Sequence, residues 1–126
     1  MTDRKVRSPS GLNLHSHLEG SIRPATAAEL ADAQGLPAPE GGWERALRMR
    51  EAGTLTTFLA HVAVAYPLSA TATAIARIVA EAVEDAAADG VAYLELRFGP
   101  ATHAAVMTSA IVILAACVAG PKRSSK

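Results

Sequence analysis

Aromatic side chains are scarce in this 126-residue sequence: Phe, Trp and Tyr make up 4% of it, although half of the residues are hydrophobic. Alanine carries much of the apolar share; it favours helix but buries little area per residue. A large aromatic core is excluded, and a helix-rich fold with a thin core is expected. Cysteine is almost absent too. Cys117 stands alone, so no internal disulfide can form and the chain suits a reducing, cytoplasmic compartment. Neither charge is in surplus, with 12 basic against 12 acidic residues. Nucleic-acid binders carry a basic excess, so nucleic acid is not an expected partner. Arg4, Lys5 and Arg7 precede no apolar run, and no secretory signal is visible. With 19% charged residues the composition excludes a disordered chain, and the length suits a single domain.

Acids are missing from one end. Up to Glu95, 12 acids face 8 bases, a balance of −4; beyond it Arg97, Lys122, Arg123 and Lys126 give +4. Ala104 to Gly120 is apolar and uncharged. It reads as a buried helix rather than a membrane anchor, because a span needs about 20 strongly apolar residues and this stretch is rich in alanine. A membrane partner is not expected.

Met1 to Ser10 reads as a loose polar arm. Gly11 to His17 reads as a strand, with Leu12 and Leu14 on one face and Asn13, His15 and His17 on the other. A polar loop, Glu19 to Pro24, follows. Thr26 and Glu29 have capping-box spacing for a helix over Ala27 to Gln34, stopped by Gly35. Leu36 to Gly42 is a loop rich in proline and glycine. Trp43 to Ala52 reads as a second helix, ended by Gly53. Thr54 caps a third, carrying Phe58, Leu59, Val62 and Tyr66 before Pro67 breaks it. Ser69 caps a fourth, whose apolar stripe is Ile75, Ile78, Val79 and Val83. Gly90 ends it, and Val91 to Phe98 reads as a second strand. There Leu94, Leu96 and Phe98 share one face, and Tyr93, Glu95 and Arg97 the other. Strand, helices, strand in that order predicts an α/β fold with two parallel strands, predominantly helical overall.

Residues two apart on a strand share a face, so His15 and His17 point the same way, from the carboxyl end where α/β folds place their sites. Two neutral imidazoles can supply half of a four-ligand zinc shell. By spacing alone, such histidines are more often solvated or core residues than ligands. Ser16 faces away from them and is no nucleophile. Glu95 and Arg97 read as a structural ion pair. His61, His103 and Cys117 read as non-functional.

Two stretches alter the balance for the histidines. Leu14-His15-Ser16-His17-Leu18-Glu19-Gly20-Ser21-Ile22-Arg23-Pro24 resembles the opening segment of the adenosine deaminase family of zinc aminohydrolases. Downstream, Glu81-Ala82-Val83-Glu84-Asp85-Ala86-Ala87-Ala88-Asp89-Gly90-Val91-Ala92-Tyr93-Leu94-Glu95-Leu96-Arg97-Phe98 is similar to a second segment of the family at about the expected distance, and Phe58-Leu59 between them looks like its helical lid over the substrate mouth. The resemblance implies that residues 1–103 are the N-terminal portion of a (β/α)8 TIM-type barrel, with 104–126 a divergent apolar helix and basic tail. It implies Zn2+ as cofactor, held by His15 and His17, and an adenine-type purine as small-molecule substrate. It also implies that Glu19 contacts the substrate's sugar end, where adenosine deaminases usually carry aspartate. Glutamate there is familiar in adenine- and aminofutalosine-deaminase-like relatives.

Much of such a site has no counterpart in this sequence. A barrel of this kind needs about 250 residues, and two strands are recognisable here. The family's remaining zinc ligands, its proton-donating glutamate and its water-orienting histidine find no match, so no catalytic residue is assigned. Isolated, the chain is expected to be inactive. Its exposed strand edges invite self-association, and a non-catalytic metal-binding or interaction module is the alternative reading.

Overall fold

The computed structural model describes residues 11–99. Two parallel strands, β1 (Gly11–His17) and β2 (Val91–Arg97), pair in one sheet. Parallel neighbours cannot be joined by a hairpin. Their connection holds four helices: α1 (Pro24–Gln34), α2 (Gly42–Leu47), α3 (Leu55–Ala65) and α4 (Ala72–Ala88). The result is an α/β unit, consistent with the N-terminal part of a (β/α)8 barrel. No helix among the described residues is long and apolar enough to cross a membrane. Met1 to Ser10, His103, the 104–126 segment and Cys117 lie outside the described residues.

Local signals place several boundaries where the sequence puts them. Gly35 ends α1 at φ 68°, donating to Asp32 O while Leu36 N reaches back to Ala31 O, a left-handed stop that glycine adopts without strain. Thr54 caps α3 by accepting from Thr57 N at 3.2 Å. Pro67 falls just past α3, in a 3-10 turn over Tyr66–Ser69.

Other expectations give way to packing. The Thr26–Glu29 capping box does not form, because Pro24 takes the first helical position and moves the start of α1 upstream. The buried Thr26 hydroxyl instead donates to Glu81 Oε2 on α4 at 2.6 Å, and Glu29 pairs with Arg77. Glu19–Ser21 forms a 3-10 turn rather than a plain loop. Helix α2 stops at Leu47, five residues short of Ala52. One contact acts there: His61 Nδ1 donates to Ala46 O at 2.7 Å, taking the carbonyl that Arg50 N would use in a longer helix. Thr71, not Ser69, caps α4, accepting from Ala74 N at 3.0 Å; the Ser69 hydroxyl donates to Tyr66 O. Along α4, Ile75 and Ile78 are buried as expected, but Val83 is exposed and Ala82 takes the buried place.

Leu18, Ile22, Ala27, Ala31, Leu68, Ile75 and Ile78 form the core, and Leu96 and Phe98 pack against it from the β2 end. Arg23, just before α1, adds ion pairs to Glu84 and Asp85 of α4 at 3.1 and 2.8 Å.

The helices cover one face of the sheet and leave the other open. On β2 the division follows the alternation expected: Leu96 and Phe98 meet the core, while Tyr93 and Arg97 lie exposed. On β1 it does not. Leu12 and Leu14 are exposed together with His15 and His17, whereas Asn13 and Ser16 are half-buried and line a hollow with Ala82 and Ala86 of α4. The pairing register gives the reason. Asn13 pairs with Leu94 and Ser16 with Leu96, so two residues of β1 stand opposite Glu95 alone. That is a β-bulge, and it shifts the alternation by one residue.

Candidate functional site

Strand β1 ends on the open face with His15 and His17. Their Nε2 atoms are 3.0 Å apart and their ring centroids 5.0 Å. Zinc–nitrogen bonds of about 2.0–2.1 Å would set two tetrahedral ligand nitrogens roughly 3.3 Å apart. The pair therefore fits two positions of one metal. Among the described residues no group of three or more His, Cys, Asp or Glu side chains gathers to complete a shell.

The chain then turns sharply. Leu18 N donates to Arg97 O at 2.8 Å, tying the end of β1 to that of β2, and Ser21 Oγ donates to His17 O. Leu18 is driven into the core, and Glu19, 7% exposed, is carried inward beside it. A cavity of about 270 Å³ opens there, lined by His17, Glu19, Met49, Phe58, Leu59 and His61, with Leu47, Val62 and Tyr66 behind them. Of the residues singled out from the sequence, His17, Glu19, Phe58 and Leu59 thus meet around one space, and His15 adjoins it through His17. Phe58 and Leu59 are half exposed, at 51% and 52%, so they stand at the rim rather than inside.

Leu47, Met49, His61, Val62 and Tyr66 line the cavity although the sequence pattern gives them no site role. The sequence pattern extends the second helix over Met49, and Tyr66 belongs to the apolar stripe of the third. His61 was read as non-functional; it braces α2 through Ala46 O and also faces the cavity. Its spacing three residues after Phe58, one helical turn, was the available signal.

Beside the histidines, Tyr93 Oη donates to Glu95 Oε1 at 3.2 Å, and this hydrogen bond pushes the phenol above its usual range. Arg97 sits 3.8 Å from Glu95 and donates to Leu14 O at 3.3 Å. The Glu95–Arg97 pair thus lies half exposed on the open face rather than buried. A larger hollow of about 640 Å³, lined by Arg45, Arg48 and Arg50, lies to the side. Glu44 already pairs with Arg48 and Arg50 there, and neither His15 nor His17 borders it.

Parallel strands joined through helices, with polar side chains gathered at their carboxyl ends, define an α/β protein and are consistent with the N-terminal part of a (β/α)8 barrel. Within that class, the chain belongs to the adenosine deaminase family, whose model matches residues 11–123. The adenosine deaminase of Mycobacteroides abscessus is 40% identical over 105 residues, covering 78% of this chain and 28% of its own length. That of Vibrio vulnificus is 38% identical over 117 residues, or 90% of this chain and 35% of its own length. That of Enterococcus faecalis is 34% identical over 108 residues, 82% and 32% respectively. The chain thus spans about a third of the length of the curated relatives it matches.

Proposed function

We propose that this chain provides the first part of a zinc-dependent site for hydrolytic deamination of an adenine-type purine, and that alone it does not turn over. The observation that carries the reading is the meeting of His17, Glu19, Phe58 and Leu59 around one cavity, with His15 Nε2 beside His17 Nε2. His15 and His17 would hold the metal through these nitrogens. Zinc, when bound, supplies Lewis acidity that makes water nucleophilic at neutral pH. Glu19 accepts hydrogen bonds from hydroxyls at the sugar end of a nucleoside substrate, and its length relative to aspartate weakens the case for adenosine against adenine or aminofutalosine-like substrates without removing it. Phe58 and Leu59 cover the mouth and exclude water. The ring must also gain a proton as ammonia leaves, and no residue here is assigned to donate it. The compartment is cytoplasmic, in keeping with the lone cysteine.

Ammonia release from adenosine, adenine and aminofutalosine in the presence of zinc tests the second half of the proposal. No turnover is expected; ordinary enzymatic turnover by the purified chain would overturn it. Zinc titration calorimetry tests the first half. Binding should be far weaker than at a four-ligand site. His15→Ala or His17→Ala should remove most of it, and His61→Ala should leave it nearly unchanged. Equal losses in all three would refute the assignment.

The interaction-module reading is favoured by one observation, the exposure of Leu12, Leu14 and Tyr93 on the open face. Sedimentation across a range of concentrations decides it: Leu12→Lys should shift a self-associating chain toward monomer.

A further inference from the structure

We propose that Asn13 and Arg97 are positioning residues: together they hold the β1 bulge, and the bulge turns His15 and His17 onto the open face. The inference rests on the reading of those histidines as metal ligands. Gly11 and Asn13 lie half-buried on the helix side of β1. Unbroken alternation from there would carry His15 and His17 to the same side, against α4, away from the cavity beside Glu19. The extra residue opposite Glu95 reverses the phase, so both imidazoles emerge on the open face.

A bulge interrupts the ladder, and its backbone groups need other partners. Side chains from both strands supply them. Asn13 Oδ1 accepts from His15 N at 3.2 Å, closing a local turn over the bulge. Arg97 Nη2, from the neighbouring strand, donates to Leu14 O at 3.3 Å. One contact therefore holds each residue of the bulge, Leu14 by its carbonyl and His15 by its amide. Arg97 is also the pairing partner of His17 and is steadied by Glu95. Neither side chain need touch a metal or a substrate. Their part is to fix where two ligand nitrogens sit, and loss of such outer partners commonly weakens metal binding about 10–100-fold.

The test uses the whole chain, labelled for NMR, with Asn13→Ala, Arg97→Met and their combination, and Asn13→Asp as the conservative variant. Three quantities are read: the ring-to-ring contact of His15 and His17, hydrogen exchange at the His15 amide, and zinc affinity by calorimetry. Asn13→Ala should speed His15 exchange about tenfold. The double variant should lose the ring contact and about 10–100-fold in zinc affinity. Asn13→Asp keeps an oxygen acceptor and should restore both, which a general loss of packing would not. Ring contact and zinc affinity unchanged in the double variant would overturn the proposal. Should that variant lose its helical circular dichroism, the single variants decide by the same criterion. A chain whose ring contact depends on Asn13 and Arg97 but which binds no zinc would sink the metal reading and leave the bulge assignment standing.

Discussion

The two faces of one small sheet live under opposite rules. Toward the helices, Leu18, Leu68, Ile75 and Ile78 are almost fully removed from water, and the buried Thr26 hydroxyl is hydrogen-bonded to Glu81. Away from them, Leu12, Leu14 and Tyr93 stand exposed beside two histidines and an ion pair. Burial removes apolar area from water and supplies the stabilisation, so the fold is held from the first face. The second contributes little to folding and can carry side chains chosen for chemistry. Strength and function are thus separated by the thickness of a strand.

That contrast can be broken most directly in the core. Ile75→Ala or Ile78→Ala should cost about 2–5 kcal/mol, whereas Leu14→Ala on the open face should stay within about 0.5 kcal/mol. Urea unfolding followed by circular dichroism makes the comparison, and similar costs on the two faces would contradict it. Thr26→Val sharpens the same point for a polar group. It leaves the partly buried Glu81 carboxylate one donor short, and a loss of about 1–3 kcal/mol is expected by the same measurement. Thr71→Ala, which removes the cap of α4, should cost about 1 kcal/mol.

The smallest effect concerns pH. A hydrogen bond from Arg23 holds the Asp85 carboxyl below its ordinary value of 3.8, with the guanidinium charge adding to it. A depressed folded value means the unfolded chain binds this proton more readily. The pairing therefore stabilises the fold above about pH 4 and fades as pH falls through the folded value. Asp85→Asn should flatten that part of the acid limb in urea midpoints taken across it. The change should be slight, because Asp85 is 54% exposed and solvent screens the pair. An unchanged acid limb would show that the pair contributes nothing measurable.

Where the sequence and the structure agree, the cause is local. Gly35 and Thr54 act within a turn of themselves, and β2 begins where Gly90 yields to Val91. Disagreement comes mostly from partners distant along the chain, with Pro24 at the start of α1 a local exception. Thr26 has the spacing of a cap but serves Glu81, 55 residues on. Helix α2 ends early partly because His61 takes a carbonyl from it. Val83 carries the right hydrophobicity and the wrong angle. The candidate site divides the same way: that His15 and His17 share a face is legible from their spacing, while the places of Met49 and Tyr66 depend on how α2 and α3 pack.

By itself the sequence determined the order of strands and helices, the family, and the pairing of His15 with His17 on one face, because those follow from short-range geometry and composition. Which face that was could not be read from it. Two-residue alternation leaves the sign open, and a single extra residue reverses it. The choice was made by the register between β1 and β2, by Asn13 and Arg97 at the bulge, and by the helices that cover one side of the sheet. Those contacts exist once residues 80 or more apart, such as Leu14 and Arg97, come together, which is why the tertiary structure alone decided where the histidines point.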